Sequence, residues 1–331
     1  MLTIGISGDL INSDGRPIHP AVDFSTELHN RNVKVQRVQM SSDRLVVPTT
    51  TDQVDILVLG DCGVDRGEIL SGRRTRMVCR FGKGHDDIDV NAASAKGILV
   101  TRVVQAGEDS MATGVIALVL ALATQLLKRR TIVMDPSGDW DAPLAHGAVG
   151  LKGKTLGIVG YGRIGRAVAT RARCFGMTIA YYDPLASVAD LPGDRRVGLD
   201  ELMRTADFIS VNCPLNTTTR GLISSEMLNL MRPGSYLVNT GRGAVVDETA
   251  LYDALRSGHL GGAALDVFAT EPLPPDSPLR AVPNLLLTPH AVGVSDEMYA
   301  EYMQSVAASI KELLDGRCPH DALNPEVFRP L

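Results

Sequence analysis

The chain has 331 residues, with 33 Lys and Arg against 38 Asp and Glu, for a formal net charge of -5. At roughly 100–200 residues per domain this length predicts two domains. A content of 44% apolar and 21% charged residues is that of a chain that buries cores, which argues against a disordered or fibrous protein and, with the acidic balance, against an electrostatic footprint for nucleic acid or an anionic membrane.

In chain order, the N-terminus MLTIGISGDLINSDG has no basic region and no long apolar core, so no secretory signal is expected. Short apolar runs at 3–6, 33–38, 55–60, 76–80 and 98–101 read as strands, with helical stretches at 22–30 and 89–96 between them. Strands alternating with helices predict βαβ units, right-handed crossovers and a parallel sheet. Residues 110–127 carry no charge and approach the length of a membrane span. Their Ala, Thr and Gly content, Gln125 and isolation in the chain fit a buried helix better. A loop rich in Pro, Gly and Asp follows at 134–150.

A second alternating series starts at Lys154, with strands at 155–160, 178–183, 207–212, 235–240, 263–268 and 285–288. Helices fit at 163–173, 199–205, 224–231 and 248–256, and a last one at 295–314. The fold class is therefore α/β: two doubly wound parallel-sheet domains with a cleft between them. Ligands are expected beyond the carboxyl ends of the strands. The five cysteines (62, 79, 174, 213, 318) form no CxxC pair and fit free thiols in a reducing, cytoplasmic compartment. The seven histidines show no HExxH or similar pairing, so no metal site is expected.

The most informative turn is GIVGYGRIG. Gly160, Gly162 and Gly165 stand in GxGxxG spacing after a predicted strand and at the start of a predicted helix. Gly160 permits the tight turn, Gly162 lets backbone approach a pyrophosphate, and Gly165 lets helix and strand pack closely. The helix N-terminus offers free N–H groups to phosphates. The next strand ends in Asp183, a carboxylate that accepts ribose hydroxyls and repels a 2′-phosphate. NAD(H) is therefore expected over NADP(H).

Three polar residues follow later strands of the same series: Arg242 after 235–240, Glu271 after 263–268 and His290 after 285–288. Singly, each is more often a solvated charge, a loop acid or a structural histidine. Together with their segments they closely resemble the D-isomer-specific 2-hydroxyacid dehydrogenase family. The matching stretches are LKGKTLGIVGYGRIG, the block running from PLNTTTRGLIS to MRPGSYLVNTGRGAVVDE, LDVFATEPLP and TPH.

The resemblance implies a Rossmann-like NAD lobe, placed here at 102–292, inserted in a flavodoxin-like substrate lobe made of 1–101 and 293–331. It also implies a homodimer joined through the cofactor lobe, with the uncharged helix as an interlobe and dimer element. His290 matches the family's proton donor and acceptor, Glu271 its carboxylate partner and Arg242 the guanidinium that clamps the substrate. Reduction of a 2-oxo acid needs hydride at carbon and a proton at oxygen, and a protonated imidazole supplies the proton while stabilising the growing charge. A neighbouring carboxylate favours that protonated form. By the same resemblance, Arg163 and Ile164 lie at the pyrophosphate, Cys213 and Pro214 near the adenine, Thr240 beside the nicotinamide ribose and Asp266 at the nicotinamide carboxamide.

RFGKGHDDIDV resembles the family segment whose amides, around Lys83 and Gly84, hold the substrate carboxylate. The chain departs from the common pattern at Lys83, at Arg102 and at Asp87. Two extra cations near the pocket predict a substrate with a second anionic group: phosphate, phosphonate or carboxylate. The alternative is that both cations face solvent or pair with Asp86, Asp87 or Glu108. Two other readings keep the fold. One is oxidation of formate or phosphite, since a phosphite oxidase of similar fold carries Lys in a matching loop. The other is an NADH-linked corepressor, for which no long disordered tail is present.

Overall fold

The computed structural model describes residues 1–47, 49–142, 147–185 and 191–330. The predicted loop at 134–150 therefore lies partly, at 143–146, outside the described residues. The chain divides into two units, Met1–Gly107 with Ser295–Leu331, and Glu108–Val294.

The first unit holds a five-stranded sheet: β1 (Leu2–Ser7), β2 (Val33–Val38), β3 (Ile56–Leu59), β4 (Met77–Arg80) and β5 (Leu99–Arg102). All pairings are parallel and the order is β2-β1-β3-β4-β5. β3 and β4 are buried throughout, as parallel strands covered on both faces must be. Short helices follow the strands: α1 (Phe24–Glu27), α2 (Thr50–Gln53), α3 (Arg66–Ser71) and α4 (Val90–Ala95). The sequence pattern had indicated neither α2 nor α3. α2 is held by Glu68 of α3, a buried carboxylate that accepts the Thr49 and Thr51 amides at 2.9 and 2.8 Å, an interaction no local periodicity reports, while α3 is capped by its own Asp65.

In the second unit, α5 (Glu108–Ala123) leads to α6 (Leu126–Met134). The expected single uncharged helix is thus two, bent by 59°. Gln125 at the joint has a left-handed φ of 52°, and the Thr124 hydroxyl donates back to the Leu120 carbonyl. The uncharged stretch reflects burial: Ala112, Val115, Val119 and Leu122 lie in the core, whereas α6 buries nothing. No single described helix is long and apolar enough to cross a membrane.

The second sheet contains β6 (Thr155–Val159), β7 (Thr178–Tyr182), β8 (Arg195–Arg196), β9 (Phe208–Val211), β10 (Tyr236–Asn239), β11 (Gly262–Leu265) and β12 (Leu285–Leu287). Its order, β12-β11-β10-β9-β6-β7-β8, is all parallel. Between the strands lie α7 (Arg163–Cys174), α8 (Leu199–Thr205), α9 (Ser225–Leu230) and α10 (Glu248–Arg256). The strand order reverses between β6 and β9, which places the binding crevice beyond their carboxyl ends. The chain then returns to the first unit as α11 (Asp296–Leu314). There Met298, Tyr302, Val306, Ile310 and Leu313 join the core of Ile4, Ile6, Phe24 and Leu28.

The unit boundaries fall at Gly107/Glu108 and Val294/Ser295 rather than after 101 and before 293. Arg102 still belongs to β5, the Val103 amide donates to the Gly82 carbonyl at 3.0 Å, and the Gly107 amide donates to Glu301. Gly293 belongs with α5, because a Cβ there would meet the Met111 sulfur at 2.1 Å.

Candidate active site

The nucleotide turn has the geometry its spacing predicts. Gly160 follows β6 with φ +92°, and a Cβ on it would lie 2.7 Å from the Cys213 nitrogen. Gly162 begins α7, and nothing stands within 4 Å of where its Cβ would be. Gly165 packs so closely that a Cβ would meet the Gly160 oxygen at 2.2 Å. Asp183 follows β7; its two oxygens accept the Tyr161 and Leu185 amides at 2.8 and 2.9 Å. That ties the acid to the glycine turn.

Two buried polar atoms near this turn lack a partner among the described residues: Thr240 Oγ1 and Asn212 Oδ1. A buried acceptor left unpaired costs free energy, so such atoms mark places for a ligand group. The open space before Gly162, the amides of α7 and these two oxygens fit a dinucleotide. Asn212 carries no part of the glycine fingerprint. Its signal in the sequence was only its place just after β9, the strand beside β6.

The other expected cofactor residues lie around the same crevice. Arg163 reaches toward Glu108 at 4.0 Å, and Ile164 packs on the core. Cys213 is buried, which pushes its thiol up to about 11. The Pro214 carbonyl accepts the Thr219 hydroxyl at 2.6 Å.

Arg242 stands in the turn after β10. The buried Asn239 shapes this turn, donating to the Arg242 carbonyl and accepting the Gly241 amide, both at 3.1 Å. Arg242 Nη1 donates to the Gly241 carbonyl at 2.8 Å.

Glu271 stands after β11. Its Oε1 accepts the Phe268 amide and its Oε2 accepts from His290 Nδ1, each at 2.8 Å. Burial pushes the Glu271 carboxyl up. Hydrogen bonds from His290 and Phe268 and the charges of His290 and Arg242 outweigh it and hold the group below the usual value. With Nδ1 on Glu271, the atom of the imidazole that would exchange a proton with a ligand is Nε2. The side chains of His290 and Glu271 are 32% and 30% exposed, enough to meet a ligand.

His290 itself is at φ +54°, a left-handed conformation that a non-glycine residue adopts only where the surroundings hold it. Asp266, at 2% exposure, supplies the hold. Its Oδ1 accepts the Thr288 hydroxyl at 2.7 Å and the Ala291 and Val292 amides at 2.9 and 3.1 Å. In this structure Asp266 therefore braces the histidine turn. One of its oxygens is filled by that task, and the other accepts, among the described residues, the Val292 amide at 3.2 Å.

In the first unit, Arg102 Nη1 donates to the Lys83 carbonyl at 3.2 Å and contacts His85 Nδ1 at 3.3 Å. Its Nε is buried without a partner among the described residues. Burial, then the Arg102 charge, lowers the His85 pKa. Asp87 pairs with Arg80 at 2.6 Å, and Arg80 Nη1 also donates to the Cys62 carbonyl at 2.9 Å. Nothing in the sequence pattern marks Arg80, which is buried and paired by Asp87. Lys83 and Gly84 lie in the loop that Arg102 underpins.

Residues 116–292 match the family described as D-isomer specific 2-hydroxyacid dehydrogenase, NAD binding domain. A glyoxylate reductase of Korarchaeum cryptofilum is 36% identical over 293 residues, 87% of this chain and 88% of that one. The chain belongs to the D-isomer specific 2-hydroxyacid dehydrogenase family. A D-3-phosphoglycerate dehydrogenase of Methanocaldococcus jannaschii is 38% identical over 82% of this chain, which spans only 52% of that relative's length. The NAD complex of a formate dehydrogenase from Staphylococcus aureus superposes with a TM-score of 0.81 at 27% identity, covering 94% of this chain and 95% of that one. The chain is thus an NAD-binding oxidoreductase of this family, with the α/β fold of two parallel sheets.

Proposed function

We propose that this protein interconverts a D-2-hydroxy acid and the corresponding 2-oxo acid with NAD(H). The observation that carries the reading is the Glu271–His290 pair, held at 2.8 Å after the carboxyl ends of strands in the sheet whose β6 leads into the glycine turn. NAD(H), when bound, supplies or accepts the hydride. His290 Nε2 donates a proton to the carbonyl oxygen in reduction and takes one from the hydroxyl in oxidation. Glu271 keeps Nδ1 protonated and stabilises the imidazolium. Arg242 binds the substrate carboxylate and polarises the carbonyl. Gly160, Gly162, Arg163, Ile164, Gly165, Asp183, Asn212, Cys213, Pro214, Thr240 and, at the nicotinamide carboxamide, Asp266 hold the dinucleotide. The second unit, Glu108–Val294, is the cofactor lobe and the first is the substrate lobe. Five free cysteines fit a cytoplasmic setting.

The substrate we favour carries a second anionic group. Arg102 keeps a guanidinium under the Lys83–His85 loop with no carboxylate against it among the described ion pairs. The positive charge there is therefore available to an anion docked on the loop amides. The expected result is a kcat/KM for phosphonopyruvate, phosphohydroxypyruvate or oxaloacetate at least tenfold above those for pyruvate and glyoxylate, one ion pair's worth of discrimination at about 1.4 kcal/mol per tenfold. Preference for the singly charged acids ends the second-anion reading. NADH formation from formate or phosphite, with no turnover of any 2-oxo acid, replaces it with the alternative chemistry.

The working form we propose is a homodimer joined through α5 and α6. Leu126, Leu127, Val133 and Met134 of α6 are exposed, an apolar strip on a helix that buries no residue of its own. Leu127→Glu combined with Met134→Glu is expected to turn a dimer into a monomer in analytical ultracentrifugation. A wild-type chain that sediments as a monomer removes this part of the proposal.

A further inference from the structure

Gly243 directly follows Arg242. A Cβ on it would lie 1.8 Å from the Phe268 carbonyl carbon and 2.2 Å from the Ala269 nitrogen. Only the absence of a side chain lets the Phe268–Ala269 peptide rest on the arginine turn. Further along the same segment, at the first position of α10, Glu248 turns back onto that peptide. Its Oε1 accepts the Ala269 amide at 2.6 Å. The preceding amide, of Phe268, goes to Glu271. Two carboxylates therefore grip two adjacent amides of the loop that ends at Glu271.

We propose that Glu248 is a positioning residue: it holds the Glu271 loop against the Arg242 turn, and its charge helps set the protonation of the Glu271–His290 pair. The proposal rests on reading that pair as the acid–base group. Arg242 and His290 act on Glu271. Asp247 is committed to capping the Ala250 amide, and Asp266 to the 288–292 turn. Glu248 is a further carboxylate whose charge acts on Glu271. Burial pushes it up, the Ala269 amide pulls it down, and the Glu271 charge pushes it up again. Like-charge repulsion is mutual, so an ionised Glu248 favours the protonated forms of both Glu271 and His290.

Two variants separate the parts. Glu248→Ala removes the acceptor and the charge; a loss of about tenfold or more in kcat is expected, the scale of one hydrogen bond to a charged group, with NADH affinity unchanged. Glu248→Gln keeps an oxygen for the Ala269 amide but not the charge. It should restore most of what the alanine variant loses, with both limbs of the pH profile moved to lower pH. An activity-independent readout is the NMR titration of the His290 ring in the cofactor-free protein, assigned by its disappearance in His290→Gln. In Glu248→Gln it should titrate at lower pH than in wild type.

An alanine variant with wild-type kcat overturns the proposal, as does a glutamine variant that loses as much as alanine. An unmoved His290 titration in Glu248→Gln overturns it also if the alanine variant does not fold. Failure of wild type to turn over any 2-oxo acid sinks the functional reading instead, and leaves the titration to judge Glu248 on its own.

Discussion

His290→Ala is expected to lower turnover by about 10²–10⁴-fold, the usual contribution of a positioned acid–base group. The geometry explains why the loss is large and confined to the chemical step. The imidazole has Nδ1 on Glu271 at 2.8 Å, which makes Nε2 the proton-exchanging atom of the proposed mechanism. His290 follows β12 whereas the glycine turn follows β6, so NADH affinity should stay within about threefold, the ordinary context scatter of a single contact. The turn itself is braced by Asp266 through Thr288, Ala291 and Val292, none of which needs the imidazole. The variant should therefore keep its fold. Steady-state rates with a 2-oxo acid, set beside a fluorescence titration of NADH, check both parts. Turnover near that of wild type would take His290 out of the mechanism.

Gly165→Ala is the second large effect. A Cβ there would stand 2.2 Å from the Gly160 oxygen and 3.2 Å from Ile158 Cγ2. The first is backbone and cannot swing away, so the N-terminus of α7 must lift off β6. Overpacking of this kind costs about 1–3 kcal/mol. Because the displaced elements are the ones that cradle the phosphates, NADH should bind about ten- to a hundredfold more weakly, and the melting temperature should fall as well. Gly162→Ala provides the contrast. No atom lies within 4 Å of its added methyl, so the fold and melting temperature should be kept. Any loss in NADH affinity there reports on the ligand alone. Equal NADH affinity in wild type and Gly165→Ala would contradict the close-packing role.

Much of the second unit was legible in the residue pattern. The runs at 155–160 and 207–212 became β6 and β9 within a residue or two, and the helix predicted at 248–256 became α10. Parallel strands buried on both faces are near-continuous apolar runs, and helices between them alternate with period 3.6, so the two signals do not compete. Where elements depend on distant partners the pattern was silent. α2 is held by Glu68, seventeen or more residues on, which accepts the Thr49 and Thr51 amides. β8, only two residues long, exists because Ala180 and Tyr181 of β7 pair with Arg195 and Arg196. The uncharged run at 110–127 read as one helix because composition reports burial, not the left-handed turn at Gln125.

The site divides in the same way. Glycines in fixed spacing, an acid at a strand end, and Arg242, Glu271 and His290 after successive strands were determined by the sequence alone, because each is a residue type tied to a local place in a βα unit. Which side chains support them was decided only by the folded chain. Asp266 turned out to brace the histidine turn, Glu248 to hold the loop of Glu271, and Arg102 to underpin the Lys83 loop. These are contacts between segments far apart in sequence, made through backbone amides and carbonyls that every residue carries. A sequence shows which residue types are present, but not which of those amides a given carboxylate will find.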